Sequence, residues 1–465
     1  MKVLLDNEKQ ARLQQLPAVE RLFNDERVRQ AAGTLHPRLI KRIIRDYLQE
    51  VRSEIINGRD TQFSFEELEL RLLVARKPTL TRAINGLGVV LHTGLGRAPL
   101  PKVAQAALID VSEHFSALEI NLLDGRRGSR YQHVEPLLCE LTGAEAALVV
   151  NNNCAATLLI LSTIAKGREV IVSRGQLIEI GGSFRIPDVM LQSGCRMVEV
   201  GTTNRTHLRD YENAITSETG AILRVHTSNY RIIGFTKEVP LEELVALGRK
   251  YSIPVIDDLG SGALLDLSRY GLPKEPVVSE SIAAGADVVC FSGDKLIGAG
   301  QAGIIVGKRE LISKMKKHPL TRALRCDKLT YAVLERTLEL FLDEERVMRE
   351  HPLFQILLKS PAEMQEQARQ LLNAVQKRLA GRARFEIKPT RAEVGGGSLA
   401  TESLESVAVA VQPVNISVDE LARRMRLFRP PVFGRVVQDE YLLDFRTIRA
   451  DEIAIIAEAL IQALA

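Results

Sequence analysis

Between residues 145 and 310 the chain alternates short apolar runs with helical or glycine-punctuated segments, and this alternation restricts the fold more than any other feature. The runs are 146–151, 169–173, 197–201, 221–227, 254–258, 286–292 and 302–307. Apolar on both faces and too short for helices, they predict strands of a parallel sheet covered by helices on both sides. Leu241–Tyr251 is the clearest covering helix, with Leu241, Leu244 and Val245 on one face. Gly248 comes next on that face and allows close packing on the sheet. Ligands of such sheets collect beyond the carboxyl ends of the strands. Polar residues gather at those ends: Asn151-Asn152-Asn153, His226-Thr227-Ser228-Asn229, Asp257-Asp258 and Ser292-Gly293-Asp294-Lys295.

Lys295 is a lone amine at a strand end, in a glycine-rich turn between two buried runs. Desolvation disfavours the charged form of such a lysine unless it is paired or put to use. The use that fits is a Schiff base with pyridoxal 5′-phosphate (PLP), where a lowered pKa supplies the free amine; a surface lysine in a hairpin turn is the plainer alternative. PLP enzymes of the aspartate-aminotransferase fold also need an acid at the pyridine nitrogen, a helix N-terminus or nest for the phosphate, and a planar group over the ring. Either Asp257 or Asp258, one strand before the lysine, supplies the acid. Asn152, Asn153 and Cys154 turn from a strand into an apolar helix and offer amide donors to a phosphate, although the same Asn residues also suit an ordinary helix cap. For the planar group the sequence offers only the turns at Gly175-Gln176 and 181–185. Arg97 lies in a glycine-punctuated turn, and Arg322 and Arg325 follow the lysine unit with the i, i+3 spacing of one helical face. Their forks suit a phosphate-like oxyanion, or else a solvated basic surface. Arg126-Arg127-Gly128-Ser129-Arg130 is a further basic turn.

Three regions follow from this pattern: a helical N-terminal module over 1–70, a large domain over 71–330, and an α+β small domain over 331–465. In the last, 328–380 reads as mainly helical, 406–413 and 441–445 as strands, and 417–428 and 451–465 as helices. Of the 465 residues, 45% are apolar and 26% charged, the balance of a soluble globular protein, and no run is long enough to span a membrane. Five cysteines without metal-ligand spacing, and an N-terminus unlike a signal peptide, suit the cytoplasm. A net charge of +4 permits an RNA partner without arguing for one, and no DNA partner is expected. Lys41, Arg42 and Arg45 could touch phosphates, yet they read equally well as a solvated helix face.

Several blocks resemble the bacterial selenocysteine synthase family, the L-seryl-tRNA(Sec) selenium transferases. They are residues 84–93 with Leu95-Gly96-Arg97, then 174–182, 199–206 and 226–230. Asp258-Leu259-Gly260-Ser261-Gly262, Ser292-Gly293-Asp294-Lys295 and 318–325 complete the set, in the family's order over most of the chain. The resemblance implies a PLP-dependent transferase of fold type I, with a parallel-rich central sheet. It implies conversion of seryl-tRNA(Sec) to selenocysteyl-tRNA(Sec) with selenophosphate, by β-elimination of the serine hydroxyl to an aminoacrylyl-tRNA followed by selenium addition. Lys295 matches the cofactor-bearing lysine and Asp294 an active-site acid beside it, while Asp258 matches the pyridinium partner better than Asp257. Arg97, Arg322 and Arg325 match the arginines that hold the selenium donor, and the N-terminal helices match the tRNA-gripping module. A homodecamer, a pentamer of dimers, is implied as well. Two positions depart from the family pattern: Gly94 replaces an Asn, and Cys154 an Ala in the phosphate turn. Rival readings are a PLP lyase acting on free amino acids or amino sugars, and a tRNA-binding scaffold without catalysis. The helical N-terminal region and the arginine pair speak against the first, and Lys295 with Asp258 against the second.

Overall fold

A computed structural model describes residues 7–76, 78–181, 184–398 and 403–465, which fall into two compact units, one ending at Arg82 and the other beginning at Ala83. Among its described residues the first unit is helical, over Asn7–Gln14, Val19–Asn24, Glu26–Ala32, Pro37–Ile56 and Phe65–Ala75. In the long helix Ile40, Ile44, Leu48, Val51 and Ile55 recur at helical spacing and are buried against Leu22, Val28, Leu68 and Leu72. The last helix spans residue 70, and its Leu68 and Leu72 belong to this core. Lys41 is held by Glu20 at 2.7 Å and lies over the Phe23 ring.

The seven expected strands all form and make one seven-stranded sheet. They are β1 (Ala146–Val150), β2 (Glu169–Ser173), β3 (Arg196–Val200), β4 (Thr219–Val225), β5 (Val255–Gly260), β6 (Val288–Ser292) and β7 (Gly303–Gly307). The order across the sheet is β1-β7-β6-β5-β4-β2-β3. One strand departs from the parallel expectation: β7 is antiparallel to both neighbours, because it returns from β6 through the short turn that carries Lys295. Its first residue passes so close under the Asn152 turn that a Cβ at Gly303 would collide with the Asn152 carbonyl. Alternate residues face opposite layers, as a strand requires. Val149, Ile222, Val255, Val289 and Ile304 join one apolar cluster, and Leu148, Leu223, Ile256, Val288 and Ile305 the other. Helices 153–164, 186–193 and 309–317 cover the second face, and helices 241–251 and 328–340 the first.

The C-terminal portion is a five-stranded sheet with helices 361–375, 418–427 and 453–464 packed against it. Its strands are β8 (Ala383–Glu393), β9 (Ser403–Pro413), β10 (Val432–Val437) and β11 (Glu440–Asp444), with Ile84–Gly86 added parallel to β10. Helix 328–340 packs into the core of the seven-stranded sheet through Tyr331, Leu334 and Leu338 rather than onto this smaller one. Among the described residues no helix is long and apolar enough to cross a membrane.

Helix 241–251 rests on the sheet at Gly248, where a Cβ would stand 2.6 Å from the Ile253 carbonyl oxygen and 2.7 Å from Val255 Cγ2. Gly248→Val should therefore lower stability by about 1–3 kcal/mol, read as a lower urea midpoint at unchanged m-value.

Candidate active site

The carboxyl ends of β1, β4, β5 and β6 meet at a cavity of about 200 Å³. Strand alternation along β5 decides which of its two aspartates faces it. Asp257 points to the opposite layer, fully buried, and accepts hydrogen bonds from Arg224 Nη1 and Ser281 Oγ, each at 2.7 Å. The Arg224–Asp257 ion pair joins the neighbouring strands β4 and β5, and Ser281 ties it to the helix Val278–Ala284. Asp258 lines the cavity, and a bulge between it and Gly260 shifts the pairing of β5 with β6 at this point. Asn153 Nδ2 donates to its Oδ1 at 2.8 Å and Thr157 Oγ1 to its Oδ2 at 2.9 Å. Thr157 was not singled out in the sequence, although its i, i+4 relation to Asn153 puts the two on one helical face.

Asn152 caps helix 153–164 through Ala155 N–H, and the open first turn of that helix faces the cavity at Asn153 and Cys154. The Oδ1 of Asn153 is buried without a hydrogen-bond partner. Lys295, 5% exposed, enters from the turn after β6. Burial lowers its pKa from the ordinary lysine value and the Arg97 guanidinium lowers it further, against the pull of Asp258, Asp294 and Glu275. Burial raises the pKa of Asp258, opposed by Asn153, Thr157 and Lys295. Cys154 is also raised by burial and by Asp258, so its thiol keeps its proton.

Arg97 reaches the cavity from residues outside the sheet. Its backbone has φ 61°, a conformation unfavourable for a residue with a Cβ, and its Nη1 lies 2.7 Å from Asp294 Oδ1. The pair also borders a second cavity of about 360 Å³ lined by Thr93, Gly96, Leu100 and Gln301. A further wall escaped the sequence reading. The turn Gly395-Gly396-Gly397, all three at positive φ, brings Gly397 to where a Cβ would stand 3.6 Å from Lys295 Nζ. Ile178 and Ile180 line the side where a planar group was sought, and Tyr230, through its hydroxyl, and Asn229 bind the backbone of that segment at Gly175 and Glu179. Gly182 and Ser183 of the other candidate turn lie outside the described residues.

Lys295, Asp294, Asp258, Asn152, Asn153, Cys154 and Arg97 thus come together, but Arg322 and Arg325 do not join them. Helix Pro319–Ala323 ends before Arg325, so the shared helical face does not form. The backbone there is drawn into a bridge instead: Arg325 pairs with Val150, and Asn151 N–H donates to the Leu324 carbonyl at 2.9 Å. Both arginines are exposed near the end of β1, and neither lines the lysine's cavity in the single chain. The basic turn at 126–130 is structural, with Arg127 and Arg130 both paired to Glu119.

Residues 83–449 match the family described as L-seryl-tRNA selenium transferase. The chain belongs to this family. It is 51% identical over 433 residues to the L-seryl-tRNA(Sec) selenium transferase of Nitratidesulfovibrio vulgaris, covering 92% of each chain. To that of Alkaliphilus oremlandii it is 46% identical over 457 residues, 96% of this chain and 97% of the relative. Among solved structures, D-glucosaminate-6-phosphate ammonia-lyase shares the fold at a TM-score of 0.58 and 19% identity, over 83% of this chain and 96% of that one. The match to the selenium transferase family takes in every residue gathered around Lys295.

A PLP-type group fits these residues. The site holds a buried amine, a buried carboxylate that lacks a full counter-charge, an unpartnered amide oxygen and a helix N-terminus. Burial has raised the pKa of Asp258 in the folded protein. Its folded pKa lies above the ordinary carboxylate value, so the folded state loses stability as pH rises from that value through the folded one. At neutral pH, Asp258→Asn should raise the melting temperature of the cofactor-free protein and weaken its hold on PLP. Thermal melts with and without PLP check both signs.

Proposed function

We propose that the chain converts seryl-tRNA(Sec) to selenocysteyl-tRNA(Sec), with selenophosphate as donor and PLP as cofactor. The observation that carries this reading is Lys295, a buried amine beside Asp258, in a chain whose residues 83–449 match the transferase family. When bound, PLP withdraws electrons from the α-carbon of an amino acid attached to it. Lys295, its ammonium form disfavoured by burial and by Arg97, would supply the neutral amine that holds the cofactor, and the same amine would take the proton from the serine Cα. Asp258, held by Asn153 and Thr157, would accept the N–H of the cofactor's ring nitrogen and keep it protonated. Asn152, Asn153 and Cys154 give the helix N-terminus that receives the phosphate.

Arg97 binds the selenium donor at the border of the two cavities, and Asp294 fixes its guanidinium. Holding a small dense anion with a preset cation is electrostatic preorganisation, worth a few kcal/mol. Arg322 and Arg325 extend that donor site within a homo-oligomer, read as a ring of five dimers. Exposed Phe115, Leu122 and Leu123 supply apolar surface for a subunit contact. The helical unit ending at Arg82 holds the tRNA. Five free cysteines suit a cytoplasmic setting.

Single-turnover conversion of radiolabelled seryl-tRNA(Sec) with selenophosphate tests the reading, with seryl-tRNA(Ser) as control. Selenocysteyl product from the first tRNA alone is expected. No product from either, from protein that shows the absorbance of bound PLP, would turn the function toward free-amino-acid lyases. Arg322→Ala should keep PLP and lose about 100-fold or more at limiting selenophosphate. Full activity there would remove Arg322 from the donor site.

A further inference from the structure

Loss of the serine hydroxyl needs a proton at the departing oxygen, because hydroxide is a poor leaving group at neutral pH. The other titratable groups of the cavity are committed elsewhere. Lys295 takes the Cα proton, Asp258 faces the ring nitrogen, and Asp294 is held by Arg97 at 2.7 Å. Burial and Asp258 both raise the pKa of Cys154, which makes its thiol a weak proton donor. His226 is the titratable residue on this wall that has no role so far.

His226 follows β4, and its backbone N–H donates to the Asp258 carbonyl at 2.8 Å, so the imidazole stands beside the end of β5. The ring Nε2 lies 3.4 Å from Glu275 Oε1. Glu275 is 3% exposed, and that oxygen has no hydrogen-bond partner. A buried carboxylate oxygen left without a partner is costly, and the His226 ring nitrogen is the neighbour placed to relieve it. A carboxylate at one ring nitrogen fixes the orientation of the imidazole, which leaves the second nitrogen to exchange protons.

We propose that His226, oriented by Glu275, is the general acid that protonates the departing serine hydroxyl. This rests on the selenium transferase reading of the same cavity. As Lys295 takes the Cα proton, the Cα–H electron pair becomes the Cα–Cβ double bond. The Cβ–O bond breaks with its electrons on oxygen, and the His226 Nδ1 proton completes a water molecule. Solvent reprotonates the neutral imidazole before the next turnover. Glu275 touches no reacting atom and is a positioning residue.

The test compares two leaving groups on one tRNA: serine, whose hydroxyl needs a proton, and β-chloroalanine, whose chloride does not. His226→Gln should lose about 100-fold or more in single-turnover elimination from seryl-tRNA(Sec). The same variant should stay within about threefold of wild type on the chloroalanyl ester. Glu275→Gln, isosteric and therefore the safeguard against a misfolded His226 variant, should lose about tenfold on the seryl ester only. Binding of seryl-tRNA(Sec) to the cofactor-free protein, measured by filter retention, should be unchanged in both variants. Equal losses on the two esters, weaker tRNA binding that accounts for the loss, or no loss on either ester would overturn the assignment. A wild-type enzyme inert toward both esters would overturn the transferase reading and this inference with it.

Discussion

A carboxylate and an amine are both withdrawn from water at the ends of neighbouring strands, and the rest of the site is arranged around that cost. Strand alternation along β5 creates the situation. Asp257 is turned into one helix layer, where Arg224 and Ser281 satisfy it. Asp258, one residue on, is turned into the other layer, where it meets the neutral donors of Asn153 and Thr157 and the pull of Lys295. Burial pushes the two pKa values toward each other, the amine down and the acid up. A ligand that takes up the amine and presents a cation to the carboxylate relieves both strains at once. The stability given up here is the energetic basis of cofactor binding.

Distant parts of the chain converge to keep that arrangement in place. Gly303 lets β7 pass directly under the Asn152 turn. Arg97 holds an unfavourable backbone conformation and is fixed through Asp294, the residue next to the lysine. The glycine turn at 395–397 brings the C-terminal portion to the lysine amine.

The central sheet was legible because its strands are apolar on both faces and are separated by turns and helices that break the pattern. Direction was less so: β7 has the same composition as its parallel neighbours, and only the short Lys295 turn marks it as the return strand. β8 escaped although Ala383, Phe385 and Ile387 alternate with Arg384, Glu386 and Lys388, because Pro389 interrupts the run and Phe385 and Ile387 are only partly buried. Ile84–Gly86 escaped because a three-residue strand has no periodicity of its own and takes its structure from β10. At the site, strand-end motifs identified Lys295, the Asp257-Asp258 pair and the Asn152 turn, and the family resemblance chose Asp258 within the pair. Spacing failed for Arg322 and Arg325, since the helix that would align them ends early when the chain is drawn onto β1. His226 and Glu275 are far apart in sequence, and their pairing depends wholly on tertiary packing.

The central claim is that the buried amine of Lys295 is the cofactor's point of attachment. Borohydride reduction of the PLP-loaded protein, followed by peptide mass mapping, tests it most directly. The account predicts one pyridoxyl mass increment, on the peptide that contains Lys295 and on that side chain. A stoichiometric label on any other lysine, or a loaded protein that reduction leaves unlabelled, would contradict it.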